Sequence, residues 1–172
     1  RPTKQYGDRS KVINTGSTLM NLFTKLQARA ATNTPICVGI IGAGKFGSMF
    51  LAQTIKLPGI HIVAICDIDL EQAKSNLAYI GWPQDRYAAK SLDDALKHHG
   101  TFLTDHLDLV INCPQIDIII ECTGNPIAAV AHAVAAFAAE KHVINATVEA
   151  DAFCGVGLAA AAHEAGVIYS MA

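Results

Sequence analysis

The five cysteines (Cys37, Cys66, Cys113, Cys122 and Cys154) include no C-x-x-C pair, so the chain carries neither a zinc-knuckle nor a dithiol redox motif. They are scattered, three of them in or at the end of apolar stretches. That is the pattern of reduced thiols in a cytoplasmic protein, and no metal site is expected. Charge of one sign is also lacking. Thirteen Lys and Arg face fifteen Asp and Glu, for a net charge of −2. With no basic stripe, nucleic acid is not an expected partner. Long apolar runs are absent too: the longest, 127–139, contains His132 and falls short of the ~20 residues that span a bilayer. No membrane partner is expected and no signal peptide is visible. The histidines show no ligand spacing and no Ser/His/Asp order. An initiator Met is missing, so the chain reads as processed, trimmed or a fragment.

What is present is small and apolar. Hydrophobic residues make up 51% of the chain and aromatics only 6%, the excess being alanine, valine and isoleucine. Such residues suit helices packed closely on a sheet, and 172 residues suffice for one α/β domain. The stretch from Ile36 to Phe50 organises the rest: an apolar strand (36–41), a glycine turn, then a helix-compatible run (45–57). Gly42, Gly44 and Gly47 stand in the G-x-G-x-x-G spacing. Gly42 permits a tight turn, Gly44 lets the backbone approach a pyrophosphate, and Gly47 lets the helix lie close to the strand. Phosphates would then meet free N–H groups at the helix N-terminus. A second apolar strand, 60–66, ends at Asp67, 20 residues past Gly47, near the spacing of a ribose-binding carboxylate.

Elements then alternate. A helix is predicted over 69–79, a short strand over 86–89, and a helix from Ser91, its cap, to about Gly100. A short strand at 101–104 and a short helix at 105–113 follow. Strand 116–122, helix 127–140 capped by Asn125 with Pro126 at its first position, strand 142–147, helix 151–165 and strand 167–170 complete the chain. The fold class expected is α/β, a doubly wound, mainly parallel sheet in three αβα layers, with strand order 3-2-1-4-5-6. Residues 1–17 read as a disordered arm, 18–33 as a helix packed on the domain, and 34–172 as the dinucleotide-binding (Rossmann) domain.

In such sheets ligands bind at the carboxyl ends of the strands. The expected cofactor contacts are Gly42, Ala43, Gly44, Lys45, Phe46 and Gly47 in the turn, Asp67 after strand two, and Thr123, Gly124 and Asn125 after strand four. Asp67 is read as a ribose acceptor, with helix capping the alternative. With Asp69 it repels a 2′-phosphate, so NAD is favoured over NADP. Lys45 either meets a phosphate or is solvated. Asn125 either offers its amide to cofactor or substrate or serves as cap. Glu121, at the end of a buried strand, either reaches the groove or pairs structurally. Glu149 and Asp151 either face substrate or cap the next helix.

Several pieces together resemble the homoserine-dehydrogenase-like oxidoreductases that carry a C-terminal SAF domain, a family that includes the deoxyxylulose-phosphate-reductoisomerase-like enzymes. They are Leu26–Ala31, the glycine turn, Cys113–Pro126, Val148–Asp151 and Gly166–Ser170. The resemblance covers about residues 20–172. It implies hydride transfer between NAD(P) and a small hydroxy or oxo substrate. It also implies a longer protein whose substrate and SAF domains, and whose general acid or base, lie beyond this chain; no catalytic residue is nominated here. Homoserine dehydrogenases carry Asn-Lys where this chain has Thr147-Val148, and the reductoisomerase-like branch has basic residues where this chain has Asp67. The partner expected is a small molecule, with a homo-oligomer left open. The alternative from another class is a non-catalytic module that senses dinucleotide and regulates a partner.

Overall fold

The computed structural model describes residues 21–172. The arm expected at 1–17 and the start of the helix expected from 18 lie outside the described residues. Six parallel strands form one sheet: β1 (Ile36–Ile41), β2 (Ile60–Cys66), β3 (Phe102–Thr104), β4 (Ile118–Glu121), β5 (His142–Asn145) and β6 (Tyr169–Met171). Their order is β3-β2-β1-β4-β5-β6, as expected. Strand β1 pairs on one side with β2 and on the other with β4, so the chain leaves the centre in both directions. In sheets of this kind ligands bind where the strand order reverses, here at the carboxyl ends of β1 and β4.

The helices are α1 (Leu22–Ala31), α2 (Lys45–Thr54), α3 (Leu70–Tyr79), α4 (Leu92–His98), α5 (Leu107–Ile111), α6 (Pro126–Ala138) and α7 (Val148–Glu164). Side-chain alternation along the strands splits the core in two. On one face Val38, Ile40, Ile62 and Ile120 meet Leu51 of α2, Leu77 of α3 and Trp82. On the other, Ile41, Val63, Ile119 and Val143 meet α5, α6 and α7. The result is the three-layer αβα arrangement. Burying a side chain such as Leu51 contributes about 1.5–3 kcal/mol, more than a side-chain cap would add. Helix α2 is therefore held by its buried face, although Gly44 offers its N-terminus no side-chain cap.

Local signals set several boundaries. Ser91 Oγ accepts from the Asp94 amide at 3.1 Å and starts α4. Asn125 Oδ1 accepts from the Ile127 and Ala128 amides and, with Pro126 next, starts α6. Ala129, Ala133 and Ala136 give α6 a smooth buried stripe.

Three expectations are corrected. Residues 86–89 do not form a strand: Gln84–Tyr87 is a 3-10 turn, and Ala89 alone bridges to Phe102. Strand three is β3, at 102–104. Helix α7 starts at Val148, three residues earlier than expected, so strand β5 stops at Asn145. The helix expected over 18–33 is seen from Leu22 to Ala31 as α1; none of its residues is fully buried, Leu22 and Phe23 are exposed, and the Leu26 backbone lies on Gly59. No helix among the described residues is long and apolar enough to cross a membrane.

Candidate functional site

The corner after β1 is built by two glycines and opened by a third. Gly42 sits at φ +94, and a Cβ there would lie 2.8 Å from the Cys122 carbonyl. A Cβ on Gly47 would overlap the Gly42 carbonyl oxygen. Gly42 is required by close packing on the chain just past β4, and Gly47 by packing of the helix on the Gly42 carbonyl. Gly44 is different. Its φ of −70 suits any residue, and a Cβ would meet nothing within 4 Å. Packing does not explain a glycine there; a ligand resting on the corner would.

The amides of the corner divide in the same way. Gly42 N–H donates to the Cys66 carbonyl at 2.8 Å and Ala43 N–H to Asp67 Oδ2 at 2.7 Å. Those of Lys45, Phe46 and Gly47 have no acceptor among the described residues, as the first turn of a helix requires when no side chain caps it. The Ser48 amide closes the turn onto the Gly44 carbonyl at 2.9 Å. Three free donors at the positive end of α2, in front of an open glycine, form a cradle for an anion. Asn76 on α3 steadies it from behind, donating Nδ2–H to the Ala43 carbonyl at 2.9 Å.

Asp67 lies beside this cradle. Its Oδ2 takes the Ala43 amide and its Oδ1 the Asp69 amide at 2.9 Å. Each oxygen keeps a lone pair to offer. Helix α3 is capped by Asp69, whose Oδ1 accepts from the Gln72 amide, so Asp67 does not serve as the cap. Lys45 is exposed and makes no ion pair among the described residues.

The corner after β4 is tied together internally. Glu121 is 1% exposed. Its Oε1 accepts from the Thr123 amide and hydroxyl and pairs with His132 Nδ1 of α6 at 3.3 Å, while Thr147 Oγ donates to Oε2. Burial pushes the Glu121 carboxyl up, but the bonds from His132, Thr123 and Thr147 outweigh it and hold the group below its ordinary value. Gly124 N–H donates to Thr147 Oγ at 3.0 Å, and Asn125 N–H to Thr123 Oγ at 3.3 Å. Glu121 thus pairs structurally. Asn125 spends Oδ1 on the cap of α6, which leaves its amide N–H groups as the donors this loop can offer a ligand.

Asp151 accepts from the Tyr169 hydroxyl at 3.1 Å, and Glu149 is exposed in the first turn of α7. The thiols of Cys66 and Cys122 are pushed up by burial, to about 11 and about 12, with Asp67 and Glu121 adding to it. They are poor nucleophiles at neutral pH. No group of three His, Cys, Asp or Glu side chains among the described residues could hold a metal ion. Sequence reasoning passed over Asn76 and His132. A polar residue beside the buried Ala73–Leu77 stripe of α3 was the available signal for the first; nothing local marks the second.

The sequence profile described as "Oxidoreductase family, NAD-binding Rossmann fold" (Gfo/Idh/MocA) matches residues 36–146, from the first residue of β1 to just past β5. No curated protein matches. Among solved structures, the chain is similar to a homoserine dehydrogenase from Thiobacillus denitrificans, at 24% identity and TM-score 0.59, covering 80% of this chain and 29% of that one. It is similar to the yvaA protein from Bacillus subtilis, at 25% identity and TM-score 0.58, covering 79% and 33%. GenD2 from gentamicin A biosynthesis, solved in complex with NAD, has 19% identity and TM-score 0.57, covering 80% and 34%. The chain spans about a third of the length of these structures.

Proposed function

The chain belongs to the Gfo/Idh/MocA family of NAD-binding Rossmann oxidoreductases, and from that premise we propose that it is the cofactor-holding part of an NAD-dependent dehydrogenase or reductase. One observation carries the reading: Gly44 is a glycine that neither packing nor backbone conformation requires, set before three unspent amides. The donor set fits a dinucleotide. The amides of Lys45, Phe46 and Gly47 would hold the pyrophosphate, with Gly42 and Gly47 shaping the corner and Gly44 admitting it. Ala43 is committed to Asp67 and fixes that carboxylate for the adenosine ribose hydroxyls. Thr123, Gly124 and Asn125 would border the nicotinamide half, Asn125 through its amide N–H groups.

When bound, the dinucleotide supplies hydride transfer at its nicotinamide ring. The residues of this chain bind and orient. Asp67 accepts hydrogen bonds from a diol and repels a 2′-phosphate, which favours NAD over NADP. The Glu121–Thr147 pair keeps the second loop in one conformation. The substrate we assign is a small hydroxy or oxo compound, in the manner of homoserine dehydrogenases, with its catalytic acid or base and any SAF domain on further sequence of a longer, cytoplasmic protein.

Titration of NADH with the chain tests this. Nicotinamide fluorescence should rise and saturate; no saturable signal at millimolar cofactor would overturn the site assignment.

A further inference from the structure

The outward faces of α6 and α7 take no part in the cofactor site. A helix packed on a sheet ordinarily turns a polar face to water, and a helix apolar all round is a buried one. These two depart from that rule. Helix α7 has 17 residues, yet only Ala150, Leu158 and Ala162 are buried. From 152 to 162 it carries no charged residue, and it turns out Phe153, 82% exposed, and Val156, 91% exposed. Helix α6 packs beside it on the same sheet face and has no Asp, Glu, Lys or Arg. It turns out Ile127, 84% exposed, and Val134. Gly157 is a further sign. A Cβ there would meet nothing within 4 Å, and its φ is not positive. Glycine weakens a helix interior relative to alanine, so nothing within the chain asks for it; a second backbone lying close would.

The outward positions of α7 are symmetric about Val156. Phe153 stands three residues before it and Ala159 three after; Ala152 and Ala160 stand four away, Glu149 and His163 seven. All are exposed. When two copies of a helix run antiparallel about a two-fold axis, a residue ahead of the axis faces the one equally far behind it. An axis at Val156 therefore sets Phe153 on Ala159 of the second copy, bulk on a small residue. It also sets Glu149 against His163 of the second copy, at both ends. Within one copy those two lie about 21 Å apart along the helix. Neither makes an ion pair among the described residues.

We propose that the α6–α7 layer is an interface between two copies of this chain, with the α7 helices antiparallel and Val156 on the two-fold axis. The same axis lays α6 on α6 of the second copy, apolar on apolar, and the patch is self-complementary as a two-fold contact must be. Helix α7 is ~25 Å long and neighbouring helix axes stand ~10 Å apart, so the layer has a footprint of about 500 Å² per copy. Two copies cover on the order of 1,000 Å², the lower bound of a specific interface, so the dimer is a reversible one. The glycine corner and Asp67 are not used, and the inference does not rest on the proposed function.

Sedimentation velocity of the 172-residue chain, from about 1 µM to about 500 µM, should show a reversible monomer–dimer equilibrium and nothing larger. Val156→Glu sets two carboxylates face to face on the axis and should weaken the dimer more than about tenfold. Its side chain is exposed, so the fold should persist, checked by circular dichroism. His163→Glu sets carboxylate against carboxylate at both ends and should weaken the dimer about tenfold. Adding Glu149→Lys to His163→Glu restores opposite charges and should return the native affinity. A chain monomeric throughout would overturn the proposal and leave the layer to further sequence of a longer protein. A dimer indifferent to Val156→Glu would put the contact on another face and overturn it as well. So would aggregates in place of a dimer, or a double variant no tighter than His163→Glu.

Discussion

The corners after β1 and β4 look alike on paper. Each follows an apolar strand, turns on a glycine with positive φ (Gly42 at +94, Gly124 at +69) and opens a helix. They lie side by side on one sheet edge. Their hydrogen bonds differ. The first leaves the amides of Lys45, Phe46 and Gly47 unspent and keeps open space at Gly44. The second spends the Gly124 amide on Thr147, the Asn125 amide on Thr123 and the Asn125 carbonyl oxygen on its own helix, with Glu121 anchoring both threonines. One corner can be charged by a ligand; the other holds its shape without one. A glycine turn before a helix is thus insufficient evidence of a phosphate site. The tally of free donors separates the two.

The largest effect that tests this contrast lies within the first corner. Gly47→Ala places a methyl on the Gly42 carbonyl and should cost about 3 kcal/mol of stability, read by urea unfolding. Gly44→Ala meets no atom within 4 Å and should stay within about 1 kcal/mol of the native chain. Its NADH affinity should nevertheless fall about tenfold or more, because the methyl occupies the ligand's approach. Native affinity in Gly44→Ala would end the distinction between packing glycine and ligand glycine.

In the second corner the order reverses. Glu121→Gln removes a buried charge that three partners hold and should cost about 3 kcal/mol at neutral pH, while NADH affinity changes less than in Gly44→Ala. The sign with pH follows from the lowered Glu121 carboxyl. The unfolded chain takes up that proton at higher pH than the folded one. The stabilisation is therefore complete above the ordinary carboxylate value and is lost as pH falls through the folded value. The gap between native and Glu121→Gln unfolding energies should narrow on acidification from neutral to about pH 3. A gap independent of pH would mean that the carboxylate charge does not hold this corner.

Legibility in the sequence follows the range of the interaction. Strands β1, β2 and β4 announce themselves as apolar runs because both faces are covered. Ser91 and Asn125 announce α4 and α6 because a cap acts within three residues. The start of α7 was hidden because its N-cap, Thr147, turns its hydroxyl to Glu121 and makes no cap bond of its own. At 86–89, four residues are too few for a period to show, and Ala89 makes one bridge while the rest coil into a 3-10 turn. In the site, the glycines and Asp67 were legible through spacing. Asn76 on the Ala43 carbonyl and His132 on Glu121 were not, since they depend on how a helix docks 33 and 11 residues away.

The smallest effect concerns Asp67, and it divides into two parts. Removing the carboxylate frees the Ala43 amide and loosens the corner, which weakens any dinucleotide alike. It also removes a negative acceptor, which weakens a ribose diol and relieves a 2′-phosphate. The first part cancels in a ratio and the second does not. Asp67→Ala should therefore lower the NAD-to-NADP affinity ratio about tenfold, measured by NADH and NADPH fluorescence titration. Asp67→Asn keeps an acceptor for the Ala43 amide and should shift the ratio with less loss of NAD affinity. Equal losses for both cofactors in both variants would leave Asp67 as a brace for the glycine corner, and the choice of cofactor would then have to come from another residue.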